Sequence, residues 1–162
     1  YESSLHKSSS DEHIKTWDEI SSIVLELKNK NRKIVFTNGC FDILHIGHVK
    51  YLEKTKGFGD ILILGLNSDE SVRRLKGENR PINSQVDRAY ILASLEVIDY
   101  VVIFNDDTPL HLIKLIQPDV LVKGGDYEDK EVVGQDIAKE VKLVKFIDAK
   151  STTKIIERIQ ES

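Results

Sequence analysis

Apolar residues fall into two alternating patterns along most of the chain. Trp17, Ile20, Val24 and Leu27 recur every three or four positions, which predicts an amphipathic helix over residues 16–29. Short continuous apolar runs bounded by Gly, Asn, Asp or Pro are typical of strands buried on both faces. Five such runs predict strands at residues 33–39, 60–68, 100–105, 120–125 and 142–148.

Helical segments separate these predicted strands. They are expected at residues 46–56, 84–96, 109–116 and from Ser151 or Thr152 through Ile159. Strands that alternate with helices predict a parallel sheet. We therefore expect an α/β fold with a parallel five-stranded sheet and helices on both faces.

The first thirteen residues differ from the rest. They contain five serines and no apolar periodicity, so residues 1–13 are predicted to be a flexible leader or linker. The remaining residues, 14–162, suit a single domain. Because the chain starts at Tyr1 and contains no methionine, we expect it to be a piece of a longer polypeptide.

Composition excludes several classes of protein. A net charge of −4 argues against a general nucleic-acid binder. Apolar runs are far shorter than the ~20 residues needed to cross a bilayer, so no membrane association is expected. A single cysteine excludes an internal disulfide and any CxxC metal site. These features fit a cytoplasmic protein.

Polar segments follow four of the five predicted strands. Ligands of parallel α/β sheets bind at the carboxyl ends of strands, where the strand order reverses, so these segments should meet at one site. The chain has no GxGxxG or GxxxxGK[ST] motif, which disfavours dinucleotide binding and P-loop chemistry. It also lacks the GxSxG and HExxH motifs of serine hydrolases and zincins.

His45 and His48 are the sharpest feature of these segments. They stand three residues apart at a predicted helix start, so they share one face, and Gly47 lets a ligand approach the backbone. With the free amides of the helix start, two imidazoles could receive a polyphosphate. Two alternatives stay open: Asp42 with both histidines could form a two-His-one-carboxylate metal site, or all three could be ordinary helix-start residues.

Three further segments carry candidate chemistry. Residues 73–80, RRLKGENR, hold four basic residues and one acid, and Lys76 beside Gly77 suits a mobile loop that closes over phosphates. KGGD at 123–126 and STT at 151–153 offer close backbone approach and anion-binding hydroxyls, although turn formation and helix capping explain them too. Cys40 fits a small packing residue better than a nucleophile.

The motifs together resemble a known family. GCFDILHIGH and STTKII match the paired motifs of the HxGH nucleotidyltransferase superfamily. With LNSDESVRRLKGENRPIN, DRAYILASL and PDVLVKGGDY, the set is similar to heptose-1-phosphate adenylyltransferase domains over residues 32–161. This resemblance implies a Rossmann-like fold and transfer of AMP from ATP to D-glycero-β-D-manno-heptose 1-phosphate, giving ADP-heptose and pyrophosphate for lipopolysaccharide core synthesis.

The resemblance also implies roles for residues. His45 and His48 would hold the triphosphate and stabilise the transition state, and Lys76 and Arg88 would neutralise phosphate charge. The nucleotide would contact Gly39, Cys40, Phe41, Asp42, Lys123, Gly124, Gly125, Asp126, Ser151, Thr152 and Thr153. It further implies Mg²⁺ bound with ATP, a homodimer, and a sugar kinase domain preceding this one.

Two other functions remain open on the residues alone. A cytidylyltransferase for glycerol phosphate or a related alcohol phosphate belongs to the same superfamily, and sequence physics does not separate ATP from CTP. A non-catalytic nucleotide-binding module is the second, although the retained histidines and basic residues argue against it.

Overall fold

The computed structural model describes residues 9–125, 131–145 and 152–161, with only the backbone of Thr152 and Thr153. Its sheet has five parallel strands in the order β3-β2-β1-β4-β5. The strands are Ile34–Gly39 (β1), Ile61–Asn67 (β2), Tyr100–Phe104 (β3), Val120–Gly124 (β4) and Glu140–Val144 (β5). The helices are Trp17–Asn29 (α1), Ile46–Lys56 (α2), Asp69–Lys76 (α3), Gln85–Ala93 (α4), Leu110–Ile116 (α5) and Thr152–Glu161 (α6).

Helices cover both faces of the sheet, as predicted. Successive strand residues point to opposite faces, so β1 sends Val35 to one core and Phe36 to the other. Leu52 of α2 and Leu92 of α4 pack in the first core, and Ile20 of α1 lies with α5 in the second. The parallel α/β architecture is therefore confirmed, and the continuous apolar runs are explained by burial on both sides.

The sheet opens between β1 and β4. β1 pairs with β2 over six residue pairs but with β4 only at Val35–Val120 and Phe36–Leu121. Beyond these two pairs a side-chain hydrogen bond connects β1 to β4: the Thr37 hydroxyl donates to the Val122 carbonyl at 2.9 Å. Since β2 and β4 flank β1, the strand order reverses here, and this is where open α/β sheets bind ligands.

One α-helix was not predicted. α3 occupies the first part of the polar segment after β2, and the sequence analysis expected a mobile loop at its end, at Lys76 and Gly77. Its signals are local: the Ser68 hydroxyl accepts from the Ser71 amide, and acidic residues precede basic ones along the helix. Only Val72 supplies a buried apolar side chain, which leaves too little periodicity to detect.

The predicted leader is too long. Residues 1–8 lie outside the described residues, but Ser10–His13 form a 3-10 helix. His13 Nδ1 lies 2.9 Å from the Asp99 carbonyl, and the Lys15 amide donates to the Val101 carbonyl at 2.9 Å. Residues 10–15 are therefore held against the Asp99–Val101 region by hydrogen bonds that apolar periodicity does not reveal.

The predicted ends of two elements also shift. α4 ends at Ala93 rather than at residue 96. β5 begins at Glu140, two residues before the predicted start, and residues 146–148 of the predicted strand lie outside the described residues.

Candidate active site

Two imidazoles open helix α2 at the carboxyl edge of the sheet. His45 is the N-cap residue, and its Nδ1 accepts a hydrogen bond from the Gly47 amide at 3.1 Å. His48 Nδ1 accepts from the His45 amide at 3.3 Å. A backbone amide can only donate, so each Nδ1 is unprotonated and each ring carries its proton on Nε2. Both histidines are thereby fixed as neutral Nε2–H donors.

The two rings and Phe41 form one packed group. The His45 and His48 ring centroids are 3.9 Å apart, and Phe41 meets His48 edge-on at 5.2 Å. Burial first, and the Coulombic interaction with His45 second, lower the pKa of His48 from 6.5 to about 4. His48 therefore stays neutral at physiological pH and can donate a hydrogen bond without carrying charge.

Gly39 and Phe41 shape the loop before this helix. Phe41 has a φ of 45°, in the left-handed region that bulky residues rarely adopt. A Cβ on Gly39 would lie 2.7 Å from the Phe41 ring, so only glycine fits there. Phe41 is 9% exposed and belongs to the core, which places it behind His48 as a support for that ring.

Asp42 binds a loop of the protein itself. Its carboxylate accepts from the Ile82 and Asn83 amides at 2.8–2.9 Å and from Arg80 Nε at 2.9 Å. Its carbonyl also accepts from Asn83 Nδ2 at 2.8 Å. Burial alone would raise the pKa of Asp42, but these amides and Arg80 together lower it below 3.8. The side chain has no exposed surface, so the carboxylate is engaged by the protein itself, and the predicted contact of Asp42 with nucleotide stays a prediction.

Arg88 is also satisfied internally. Its guanidinium donates to the carbonyls of Cys40, Asn67 and Asn83 at 2.8–2.9 Å and to the Asp69 carboxylate at 2.8 Å. The side chain has no exposed surface. In this structure Arg88 joins the segments that follow β1 and β2, and its predicted role in neutralising phosphate stays a prediction.

The basic segment does approach the site. Lys76 ends α3 with an exposed side chain, and Gly77 follows with a φ of 105°. Burial raises the pKa of the half-buried Cys40 thiol, and Lys76, Arg88 and Arg80 partly oppose this rise. Sequence reasoning missed Arg80, although it belongs to the basic run that signalled the site.

The remaining predicted residues lie near β4 and α6. Lys123 and Gly124 end β4, and Gly125 follows with a φ of 105°. Lys123 is 9% exposed, and its Nζ donates to Asn38 Oδ1. Of the other predicted contact residues, Asp126 and Ser151 lie outside the described residues, and Thr152 and Thr153 are described only as the first two backbone positions of α6.

The metal-site alternative does not fit the orientation of Asp42. Its carboxylate points to Arg80 and the 82–83 amides, not to the histidines. Within the described residues, no three His, Cys, Asp or Glu side chains are grouped as metal ligands. In the same part of the chain, no helix has the length and apolar character to span a membrane.

Comparisons with known proteins show which proteins this chain resembles. A bifunctional protein HldE from Aliarcobacter butzleri is 70% identical over all of this chain and 34% of that protein. A bifunctional protein HldE from Sulfurimonas denitrificans is 64% identical over 99% of this chain and 34% of that protein. The chain thus spans about a third of the length of these curated relatives.

Solved structures show the same fold. A lipopolysaccharide core biosynthesis protein from Thermoplasma volcanium superposes with a TM-score of 0.59 at 28% identity, covering 74% of this chain and 99% of that one. Pantoate-beta-alanine ligase from Francisella tularensis gives a TM-score of 0.58 at 16% identity, over 82% and 66% of the two chains. The model of the Cytidylyltransferase-like family matches residues 36–160. This chain belongs to the cytidylyltransferase-like family of nucleotidyltransferases.

Proposed function

We propose that the chain transfers the adenylyl group of ATP to D-glycero-β-D-manno-heptose 1-phosphate, giving ADP-heptose and pyrophosphate. The observation that carries the reaction type is the pair of Nε2–H donors at the start of α2, the helix that follows β1 at the carboxyl edge of the sheet. The acceptor rests on the ordered motif set and on the 60–70% identity to proteins named HldE.

The chemistry needs no general base. A phosphate oxygen of the sugar phosphate attacks the α-phosphorus of ATP, a new P–O bond forms, and the bond to pyrophosphate breaks. A phosphate monoester has its second pKa near ~6, so the attacking group is already ionised at neutral pH. Catalysis then consists of positioning and charge stabilisation, which suits neutral hydrogen-bond donors aimed at the leaving phosphates.

Magnesium fits this site as part of the substrate. Mg²⁺ prefers oxygen ligands and keeps phosphate and water oxygens in nucleotide sites. The described residues around the imidazoles supply ring nitrogens, amides and cations, while the Asp42 carboxylate is fully engaged. We therefore propose that Mg²⁺ arrives with ATP, held by phosphate oxygens, where it neutralises phosphate charge.

A second candidate is cytidylyl transfer to an alcohol phosphate. The description of the matching family favours it, since that family is called Cytidylyltransferase-like. The decisive assay measures pyrophosphate release from ATP and CTP with heptose 1-phosphate, glycerol 3-phosphate or no acceptor. Release from ATP that depends on heptose 1-phosphate and Mg²⁺ supports the proposal, whereas faster release from CTP with glycerol 3-phosphate overturns it.

The cellular setting is also a proposal. The relatives are called bifunctional, and this chain corresponds to about a third of each. We propose that it works as one part of such a protein, joined to a sugar kinase domain, in the cytoplasm, where its product serves lipopolysaccharide core synthesis. Purified full-length protein that both phosphorylates a sugar with ATP and transfers AMP to a sugar phosphate would support this arrangement, and full-length protein without kinase activity would overturn it.

A further inference from the structure

The opening between β1 and β4 contains a buried amine. The two strands stop pairing after Phe36 and Leu121, yet both continue for three residues toward the carboxyl edge. In this opening Lys123 Nζ donates to Asn38 Oδ1, so a side-chain contact replaces the backbone ladder. Lys123 therefore lies where open α/β sheets accept their ligands.

Lys123 has no anionic partner among the described residues. Its hydrogen-bond acceptor is a neutral amide, and its neighbour in register on β5 is the apolar Leu143. The half-buried Lys56, by contrast, pairs with Asp99. A buried cation without a counter-charge is unfavourable, and burial accordingly lowers the pKa of Lys123 to about 8.

Strand alternation places Lys123 opposite the imidazoles. Lys123 and Asn38 follow Leu121 and Phe36 by two residues, so they lie toward the face that α1 and α5 cover. The imidazoles begin α2, which covers the other face. A ligand lying across the strand ends would meet cationic and neutral donors from two sides.

We propose that Lys123, held by Asn38 in the opening between β1 and β4, is the counter-cation of the nucleotide's phosphate chain. This inference rests on the proposed nucleotide site. It assigns the negative charge to the ligand: among the described residues no anion faces the buried amine, and the bound polyphosphate provides one.

Binding should then be linked to protonation of the amine. Near pH 8.5 the free amine is largely neutral, and a bound polyphosphate restores its charge, so nucleotide binding takes up a proton. At pH 6.5 the amine is charged in both states, and its contribution to uptake vanishes. Burial is the cause of the lowered pKa of Lys123, and no charged group of the described residues contributes to it. The neighbouring Asn38 and Leu143 are uncharged.

The test is calorimetric titration of MgATP and MgCTP at pH 8.5 in two buffers with different ionisation enthalpies. We expect uptake of roughly half a proton or more per nucleotide bound by the wild type. Lys123→Arg should bind without uptake, because a guanidinium does not titrate in this range. Lys123→Met should bind at least 10-fold more weakly. Lys114→Met is the control, since Lys114 is exposed on α5.

Stability separates this role from a structural one. Because no described residue supplies a counter-charge to the buried amine, Lys123→Met should have a melting temperature equal to or above that of the wild type. Asn38→Asp should pair with Lys123, raise the melting temperature and weaken nucleotide binding through repulsion. A large loss of stability in Lys123→Met would overturn the inference.

The calorimetric outcomes separate the two proposals. Nucleotide binding without proton uptake, or unchanged affinity in Lys123→Met, overturns the inference alone. Uptake with MgCTP but no binding of MgATP supports the inference and overturns the proposed use of ATP. If neither nucleotide binds the wild type, both proposals fail together.

Discussion

Two pairs of residues were predicted to belong to one site, but they make different contacts. The imidazoles of His45 and His48 direct their Nδ1 atoms to backbone amides and keep Nε2–H as a donor. The buried charged side chains of Asp42 and Arg88 bind the protein's own backbone and side chains. A charged residue near a site is therefore no guide to ligand contact until its partners are known.

Arg88→Met should produce the largest change in stability. It removes four hydrogen bonds and leaves Asp69 and three carbonyls without this donor, so the free energy of unfolding should fall by about 3–5 kcal/mol. Urea unfolding measures this loss. Arg74→Met is the control, because Arg74 and its partner Asp107 are exposed and such pairs contribute about 0–1 kcal/mol. An Arg88→Met variant with full stability but lost ATP affinity would support the predicted role of Arg88 in neutralising phosphate charge.

Asp42→Asn should have the next largest effect. The amide that replaces the carboxylate can accept through only one oxygen, so an amide of the 82–83 loop loses its acceptor, at a cost of about 1–3 kcal/mol. The folded-state pKa of Asp42 lies below 3.8, so its stabilisation is complete above pH 3.8 and is lost as the pH falls through the folded-state pKa. Urea midpoints of wild type and variant should converge there. A constant gap down to pH 2 would refute this ionic role.

The smallest expected effect concerns His48 and pH. The folded protein holds its pKa at about 4 rather than 6.5, so the unfolded chain binds more protons between these values. Stability from the neutral ring is complete above pH 6.5 and falls as the pH drops toward 4. His48→Gln lacks this titration, so its urea midpoint should decline less than that of the wild type between pH 7 and 5. Parallel declines would show that His48 titrates normally.

The sequence predicted the imidazole pair because its signal is local. Spacing of three residues at a helix start places His45 and His48 together whatever the rest of the chain does. The partners of Arg88 are backbone carbonyls at positions 40, 67 and 83, which side-chain patterns do not mark. The internal hydrogen bonds of Arg88 could therefore not be predicted from the sequence.

The contrast between local and non-local signals also explains which elements of the fold were predicted. Buried strands were predicted from apolar runs, because the hydrophobic pattern and burial have the same cause. α3 was missed because its residues are mostly charged and only one buried valine faces the core. The 3-10 helix at residues 10–13 was missed because hydrogen bonds to the Asp99–Val101 region, not an apolar pattern, hold this segment.

The central claim is that His48 acts as a neutral Nε2–H donor to the departing pyrophosphate. Steady-state kinetics of His48→Gln and His48→Asn test it most directly, since the Gln amide can replace Nε2 whereas the Asn amide reaches only the position of Nδ1. His48→Asn should lower kcat by roughly 10²–10³-fold with a smaller change in KM for ATP, and His48→Gln should retain most of kcat. His111→Ala, an exposed histidine paired with Asp106, should match the wild type. Equal kcat in the Gln and Asn variants, with only KM raised, would contradict the account.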